Sequence, residues 1–480
     1  MRRWLTDPWL AALLAVTALR LGAAALLPLS PDEAYYWVWG RDLQPGYLDH
    51  PPMVAVWIAA GTALTGDGAF GIRLLGPIGL ALASLAVAGA GNALMPRLRP
   101  GRWAALLLNA MPVTNAGAVL MTPDTPLFVF WCLALWAVAR LHASGDGRWW
   151  CAVGGLAGCA LLSKYTAVLF GAGLVLWLLA EPTARRWWRD WRLYAGGALA
   201  ALVFLPVVAW NATHGWASFA KQGGRAGAGR EFGLRYVGEL VAGQLGLASP
   251  ILFVLCTVGA ALAGHAWARR RDAAAGLLAA LTLPAAALFL WQATGSRVQG
   301  NWPVVIYPAA CIAAAALTAL PWQRVGAVLG GVLTALMLVQ AGFAPLALPR
   351  SADLTLARLG GWPDLARAAE EARLQANAAF IAAEEYGLAS ELALHLPAGV
   401  PVVAIGDRWD LFTLPSPPEG QGGIMLRSLR RGDGPSLWPG AAPIGEITRS
   451  RHGVEAERYR VLRVETPAGE QPAALMPRPR

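Results

Sequence analysis

Charged side chains are scarce in this chain. Of 480 residues, 14% are Asp, Glu, Lys or Arg, against about a quarter in soluble domains. The deficit falls in residues 8–348, whereas residues 349–480 have an ordinary soluble composition. A single soluble domain is thereby excluded, and a polytopic membrane region followed by a water-facing domain is predicted. Lysine is rarest: Lys164 and Lys221 are the only two. The five cysteines all lie in apolar runs and none forms a C-x-x-C pair, which excludes a disulfide framework or a cysteine zinc site. No G-x-x-x-x-G-K-[ST] occurs, so no P-loop is expected. The net charge of +10 is of the kind that arginine-rich cytoplasmic loops supply, and no nucleic-acid partner is expected.

What is abundant is apolar. Windows of spanning character fall near 8–29, 73–95, 103–121, 126–141, 149–162, 165–181, 193–210, 246–267, 274–294, 303–320 and 325–348. They predict about eleven transmembrane helices. The first is read as a retained helix, not a cleaved signal peptide. The 149–181 region is either two short helices broken at Ser163-Lys164 or one interrupted span. Arginine sets the orientation. With the N-terminus cytoplasmic, short inner loops hold Arg97, Arg99 and Arg102, then Arg185, Arg186, Arg189 and Arg192, then Arg269, Arg270 and Arg271, as the positive-inside rule requires. The segments 30–72, 121–125, 211–245 and 295–302 and everything after 348 then face outward. So do all the acidic and cationic candidates below.

Residues 30–53 read SPDEAYYWVWGRDLQPGYLDHPPM. Carboxylates beside a membrane are costly unless they are used. Asp32 and Glu33 are helical neighbours about 100° apart, so one faces a site and the other faces structure; an N-cap inside an aromatic belt is the alternative. Tyr35, Tyr36, Trp37 and Trp39 supply that belt or a sugar platform. Asp49 and His50 precede two prolines in a stiff extended segment and are read as a loop brace, since Asp and His without a third ligand make no metal site. Asp124, in TPDTP, starts a helix and could simply cap it. Lys164 interrupts an apolar run and must snorkel or meet an anion. The glycine-rich stretch 210–230 carries Lys221, Arg225 and Arg230, which could close over a phosphate or touch lipid head groups. Arg297 adds one more cation, and its loop adds amides. Asn211-Ala212-Thr213 has the form of a glycosylation sequon, but it abuts a span.

The tail predicts a small α/β domain: a helix over 363–378, a strand at 379–383, a helix at 386–396 and a second strand at 400–405. No triad or metal spacing occurs in it. The expected division is a membrane domain at 1–348, with a first outer loop at 30–72, a small extracytoplasmic α/β domain at 349–465, and a disordered tail at 466–480.

Taken in order, DEAYYW, GYLDHPPM, TPDTPL, LLSKYT, WNATHGWASF and RVQGNWPVVIYP resemble the family 39-like, dolichyl-phosphate-mannose-protein mannosyltransferase superfamily. The likeness is greatest to its bacterial lipid A aminoarabinose and galacturonosyl transferases, and it covers most of residues 1–350. The resemblance implies a GT-C fold and a polyprenyl-phosphate-linked sugar donor, used at the outer face of the inner membrane on a glycolipid or glycan acceptor. It implies that Asp32 is the catalytic carboxylate with Glu33 beside it, that Asp124 belongs to a second acidic motif, and that Lys164 meets the donor phosphate. Lys221, Arg225 and Arg297 are further phosphate candidates, and Tyr35, Tyr36, Asp49 and His50 support the sugar or the loop. The chemistry fits: the donor bond is already activated, so no cofactor is expected, and a divalent metal is compatible but not required. One displacement at the anomeric carbon would invert it. The rival readings are a lipid-linked-sugar transporter, which would show charges through the spans and an internal repeat, and a structural envelope subunit, which leaves Asp32 and Lys164 without a purpose. No repeat is present.

Overall fold

The structure, a computed structural model, describes residues 7–227, 232–350, 353–417, 419–432, 438, 440–466 and 473–479; the side chains of 225–227 and 354 are not among the described ones. Among these residues seven helices are long and apolar enough to cross a bilayer: Pro8–Leu26, Ala69–Leu94, Asp124–Ser144, Trp191–Thr213, Pro250–Arg270, Ala273–Ala293 and Leu320–Phe343. Four shorter apolar helices accompany them: Met53–Thr65, Trp149–Leu161, Tyr165–Ala180 and Trp302–Leu317. The protein is a multi-pass membrane protein. The 103–121 window is not one span but two helices, Gly101–Ala110 and Pro112–Val119. Met111 is extended, at φ −75° and ψ 132°, because a residue before proline avoids the helical region. Residues 30–72, expected as a loop, hold three helices, Pro31–Arg41, Met53–Thr65 and Ala69–Arg73. The middle one is an apolar run with no internal breaker after Pro51-Pro52.

The chain packs as two compact units: Met1–Gly22 with Pro45–Val54 and Leu75–Met337, and Ala23–Gln44 with Ala55–Leu74 and Leu338–Arg480. In the first, helices Trp149–Leu161 and Trp191–Thr213 touch at glycine. A Cβ on Gly154 would stand 2.0 Å from the Gly196 carbonyl oxygen, so only glycine permits this approach, as at many helix contacts in membranes. Arg20, buried in the first helix, donates to Asn115 Oδ1 at 2.9 and 2.7 Å and to Asn109 Oδ1 at 2.8 Å. An intramembrane cation must find such partners.

The second unit is built on a six-stranded mixed sheet in the order β4-β5-β3-β1-β2-β6. The strands are β1 Phe380–Ala383, β2 Val402–Ile405, β3 Gly422–Ser428, β4 Ala442–Arg451, β5 Val454–Glu465 and β6 Ala473–Leu475. β1 pairs parallel with β2 and β3, and the remaining pairs are antiparallel. The predicted helices appear at Trp362–Gln375 and Tyr386–His395. One face buries Phe380, Val403, Ile405, Met425, Leu462 and Val464. The tail expected to be disordered is ordered in part. β6 pairs with β2, and the Arg478 guanidinium donates to the carbonyls of Leu392 at 3.3 Å and Pro397 at 2.7 Å. These backbone and side-chain bonds offset the ordering cost that composition alone suggested was unmet. Residues 467–472 and 480 lie outside the described ones.

Helix Pro31–Arg41 packs in this unit against helix Tyr386–His395. A Cβ on Gly387 would stand 2.6 Å from Pro31 Cβ, so glycine sets how near the two helix starts come. Under this contact lies Glu391, 1% exposed, with His395 Nε2 3.2 Å from its carboxylate. Burial pushes the Glu391 pKa up from 4.5, opposed by His395. The folded state therefore holds this proton more tightly than the unfolded chain, and stability falls as pH rises from about 4.5 through the raised folded value. Glu391→Gln should be more stable than wild type at pH 8, by about 1 kcal/mol or more, and so unfold at a higher temperature, with the difference vanishing near pH 4. Thermal melts followed by tryptophan fluorescence check this, and an equal gap at both pH values would refute it.

Candidate functional site

Two polar centres emerge, one in each unit. In the second unit the chain turns at Ser30-Pro31 into helix Pro31–Arg41. Ser30 caps it and Glu33 closes a capping box, the Ser-x-x-Glu pattern that satisfies end N–H groups from both sides. Glu33 Oε2 accepts from Ser30 N at 3.0 Å. Arg73 then grips the same carboxylate with two bonds, Nε to Oε1 at 2.6 Å and Nη2 to Oε2 at 2.7 Å. Both side chains are fully buried. The remaining Arg73 N–H groups reach the carbonyls of Leu27 at 2.6 Å and Pro28 at 2.8 Å. Glu33 is thus turned into the structure.

Asp32, one position earlier, points elsewhere, as the 100° step between helical neighbours requires. Its side chain is 40% exposed, with Arg358 Nη1 3.9 Å away. Tyr386 donates its hydroxyl to Asp32 Oδ1 at 3.0 Å. The aromatic run does not form an exposed platform or belt: Tyr35, Tyr36, Trp37 and Trp39 are all buried. Tyr35 packs on Tyr386 at 4.6 Å and accepts from Arg408 Nη1 at 2.8 Å, and Trp37 donates to Asp67 at 2.8 Å.

The first unit holds the other centre. Lys164 sits in the extended break between helix Trp149–Leu161 and the turn Tyr165–Ala167, so the 149–181 region is two helices. Its ammonium donates to both oxygens of Asp124, at 2.8 and 2.9 Å, and lies 5.9 Å over the Trp302 ring. Asn301 Nδ2 donates to Asp124 Oδ2 at 2.7 Å. Asp124 and Lys164 are 8% and 7% exposed. Asp124 begins helix Asp124–Ser144 but makes no side-chain cap; its carboxylate serves Lys164 and Asn301 instead. Asp124 and Asn301 line one part of a cavity whose other walls include Leu80, Val113, Phe128 and Val129. The cavity is apolar save for this end.

The remaining candidates are mostly paired. Lys221 meets Asp49 at 2.7 Å, and Gln222 donates to the Asp49 carbonyl at 2.6 Å, which ties down the proline-flanked segment; His50 is half-buried. Stretch 210–230 is not a plain loop, since helix Ala217–Gly227 carries Lys221. The Arg225 side chain and all of Arg230 lie outside the described residues. Arg297 is largely exposed and bonds Glu239 at 2.9 Å. Asn211 of the sequon is fully buried. Among the described residues no group of three His, Cys, Asp or Glu side chains is placed to hold a metal ion. Sequence reasoning missed Arg73, Arg358, Tyr386 and Arg408. Each acts across dozens to hundreds of residues, and no local pattern marks it.

A family profile described as dolichyl-phosphate-mannose-protein mannosyltransferase matches residues 49–210. The chain is 30% identical over 370 residues to the lipid A galacturonosyltransferase RgtD of Rhizobium johnstonii, which covers 75% of this chain and 76% of that protein. In fold it is similar to the crystal structure of ArnT from Cupriavidus metallidurans bound to undecaprenyl phosphate, with a TM-score of 0.61 at 16% identity over 95% of this chain and 98% of the other. The apo form of the same protein gives 0.58 at the same identity and coverage.

Proposed function

Because the chain belongs to the GT-C glycosyltransferases of the dolichyl-phosphate-mannose-protein mannosyltransferase family, we propose that it moves a sugar from a polyprenyl-phosphate donor to an envelope glycolipid or glycan. Family membership makes it a glycosyltransferase, which decides against the transporter and the structural subunit as its principal role. The observation that carries the donor class is the apolar cavity with Asp124 and Asn301 in its wall, Asp124 being the carboxylate that holds Lys164. A polyprenyl phosphate is an apolar chain with an anionic head; apolar walls suit the chain, and the buried ammonium held on Asp124 of that wall suits the head. The names of the relatives agree: one transfers to lipid A, and the other was crystallised with undecaprenyl phosphate.

In the proposed reaction the acceptor hydroxyl attacks the anomeric carbon. The bond from that carbon to the phosphate oxygen breaks, and polyprenyl phosphate leaves. Asp32 takes the hydroxyl proton. Lys164 stabilises the charge that develops on the leaving phosphate. An ammonium has three N–H donors, and the two bonds to Asp124 leave one for a phosphate oxygen. Lys221, Arg225 and Arg297 are secondary candidates for the same task, and Asp124 orients Lys164. A single displacement inverts the anomeric centre. Arginine asymmetry supports an inner-membrane location with the N-terminus cytoplasmic and the C-terminal unit periplasmic.

The test is incubation of the purified full chain with a panel of polyprenyl-phosphate sugars and envelope glycolipids, with the product's anomeric configuration read by NMR. An inverted product supports the reading, a retained one removes the single displacement, and no transfer to any acceptor removes the reading. Lys164→Met should lower kcat by about 10²-fold or more. Chain-length preference for the donor should be unaltered, because the apolar walls remain.

A further inference from the structure

The surroundings of Asp32 hold more charge than a proton transfer needs. Asp32, Tyr386 and helix residue Gly387 form part of the wall of a cleft in the second unit. Arg350, Arg358, Arg430 and Arg431 line it too. These arginines come from separate segments: the connection after the last span, a short helix, and the turn Leu429–Arg431 that follows β3. Scattered surface arginines would not meet in one concavity. Two further carboxylates share the cleft, Glu385 and Glu457, and they lie deeper than Arg358, Arg430 and Arg431, as does Arg350 at 28% exposed. The side chains of Arg358, Arg430 and Arg431 are 66%, 63% and 47% exposed, against 31% for Glu385 and 11% for Glu457.

Both carboxylates are already engaged. Glu385 meets Arg431 at 3.0 Å. Glu457 lies 3.3 Å from Arg350 and 3.8 Å from the buried Arg449, and it also accepts from the Ser428 hydroxyl. Burial raises the Glu385 pKa despite Arg431, which weakens its claim on that cation. Arg430 approaches Glu457 only to 3.6 Å, and Arg358 approaches Asp32 only to 3.9 Å. A guanidinium carries five donors, so contacts of this kind leave most of them for another anion. Helix Tyr386–His395 starts in the same wall, and its N-terminal N–H groups add partial positive charge.

We propose that this cleft is the acceptor subsite: it binds an anionic group of the acceptor glycolipid, a phosphate or a carboxylate, and so brings a hydroxyl of that molecule to Asp32. This rests on Asp32 as the base. Arginine suits either anion because its planar fork matches two oxygens at once.

Binding separates the proposal from the transfer reading. Full-length protein in detergent is titrated with bisphosphorylated lipid A, with the same lipid stripped of phosphate, and with the stripped lipid bearing an acidic core sugar. Wild type should bind at least one anionic lipid about tenfold tighter than the neutral one, with the preference shrinking at high salt. Preference for the first lipid identifies a phosphate, and preference for the third a carboxylate. The Arg430→Gln/Arg431→Gln variant should lose the preference while keeping the neutral affinity and the wild-type melting temperature. Arg358→Gln should reduce the preference several-fold, and it stands in if the double variant fails to fold. Equal binding of neutral and anionic lipids by wild type, or an undiminished preference in the variants, overturns the proposal. If the preference behaves as described but Asp32→Asn still transfers sugar, the base assignment falls and the anion cleft stands.

Discussion

Asp32→Asn should transfer sugar about 10²–10⁴-fold more slowly than wild type and unfold at the same temperature. The asparagine has nearly the same shape and can still accept from Tyr386, so the local packing survives. What it cannot do is hold a proton taken from the acceptor. The wild-type side chain is 40% exposed, and Arg358 is a loose 3.9 Å away, so little folding energy is lost with the charge. Steady-state transfer assays beside thermal melts measure both quantities. Wild-type-like kcat in Asp32→Asn would move the base to another carboxylate, and a collapse of the melting temperature would make Asp32 structural.

Arg73→Met should have the reverse signature, with a loss of stability of about 3–5 kcal/mol and poor yield from the membrane. Glu33 and Arg73 are fully buried and bonded twice at 2.6 and 2.7 Å. Removing the guanidinium leaves a carboxylate with no way out to water and strands the Leu27 and Pro28 carbonyls that Arg73 also served. The double variant Glu33→Gln/Arg73→Met should recover part of the loss, because no uncompensated charge then remains. Melting temperatures of the wild type and the two variants decide this. An Arg73→Met protein as stable as wild type would show that the pair contributes nothing net. Asp32 and Glu33 thus separate by experiment: the first changes rate without stability, the second stability before rate.

The helix start at Ser30 was readable because all its parts lie within four residues: a hydroxyl cap, proline, and a glutamate three places on. The divergence of Asp32 from Glu33 was readable for the same reason, since a helix rotates about 100° per residue. Which of the two would face structure was not readable. That depended on Arg73, forty positions away, and on the cleft residues near 358, 386 and 430. Lys164 stood out as a cation in an apolar run, but its partner Asp124 lies 40 positions away, and Asn301, which bonds Asp124, lies 177 positions from it. In the tail, β1 and β2 were legible as continuous apolar runs. β4 and β5 were not, because β4 is mostly exposed and β5 mixes charged with apolar residues.

The sequence by itself determined the membrane-spanning character, the cap at Ser30, the α/β alternation of the tail and the kinds of side chain available for chemistry. Each of these depends on hydropathy, backbone sterics or hydrogen bonds among near neighbours, whose energies are set within a few residues. Only the tertiary structure decided which carboxylate is buried against Arg73, which one meets Lys164, which aromatics are core, and that four arginines from distant segments share one cleft with Asp32. A charge's role follows from what surrounds it, and burial and pairing are properties of contacts that the chain makes only after it has folded.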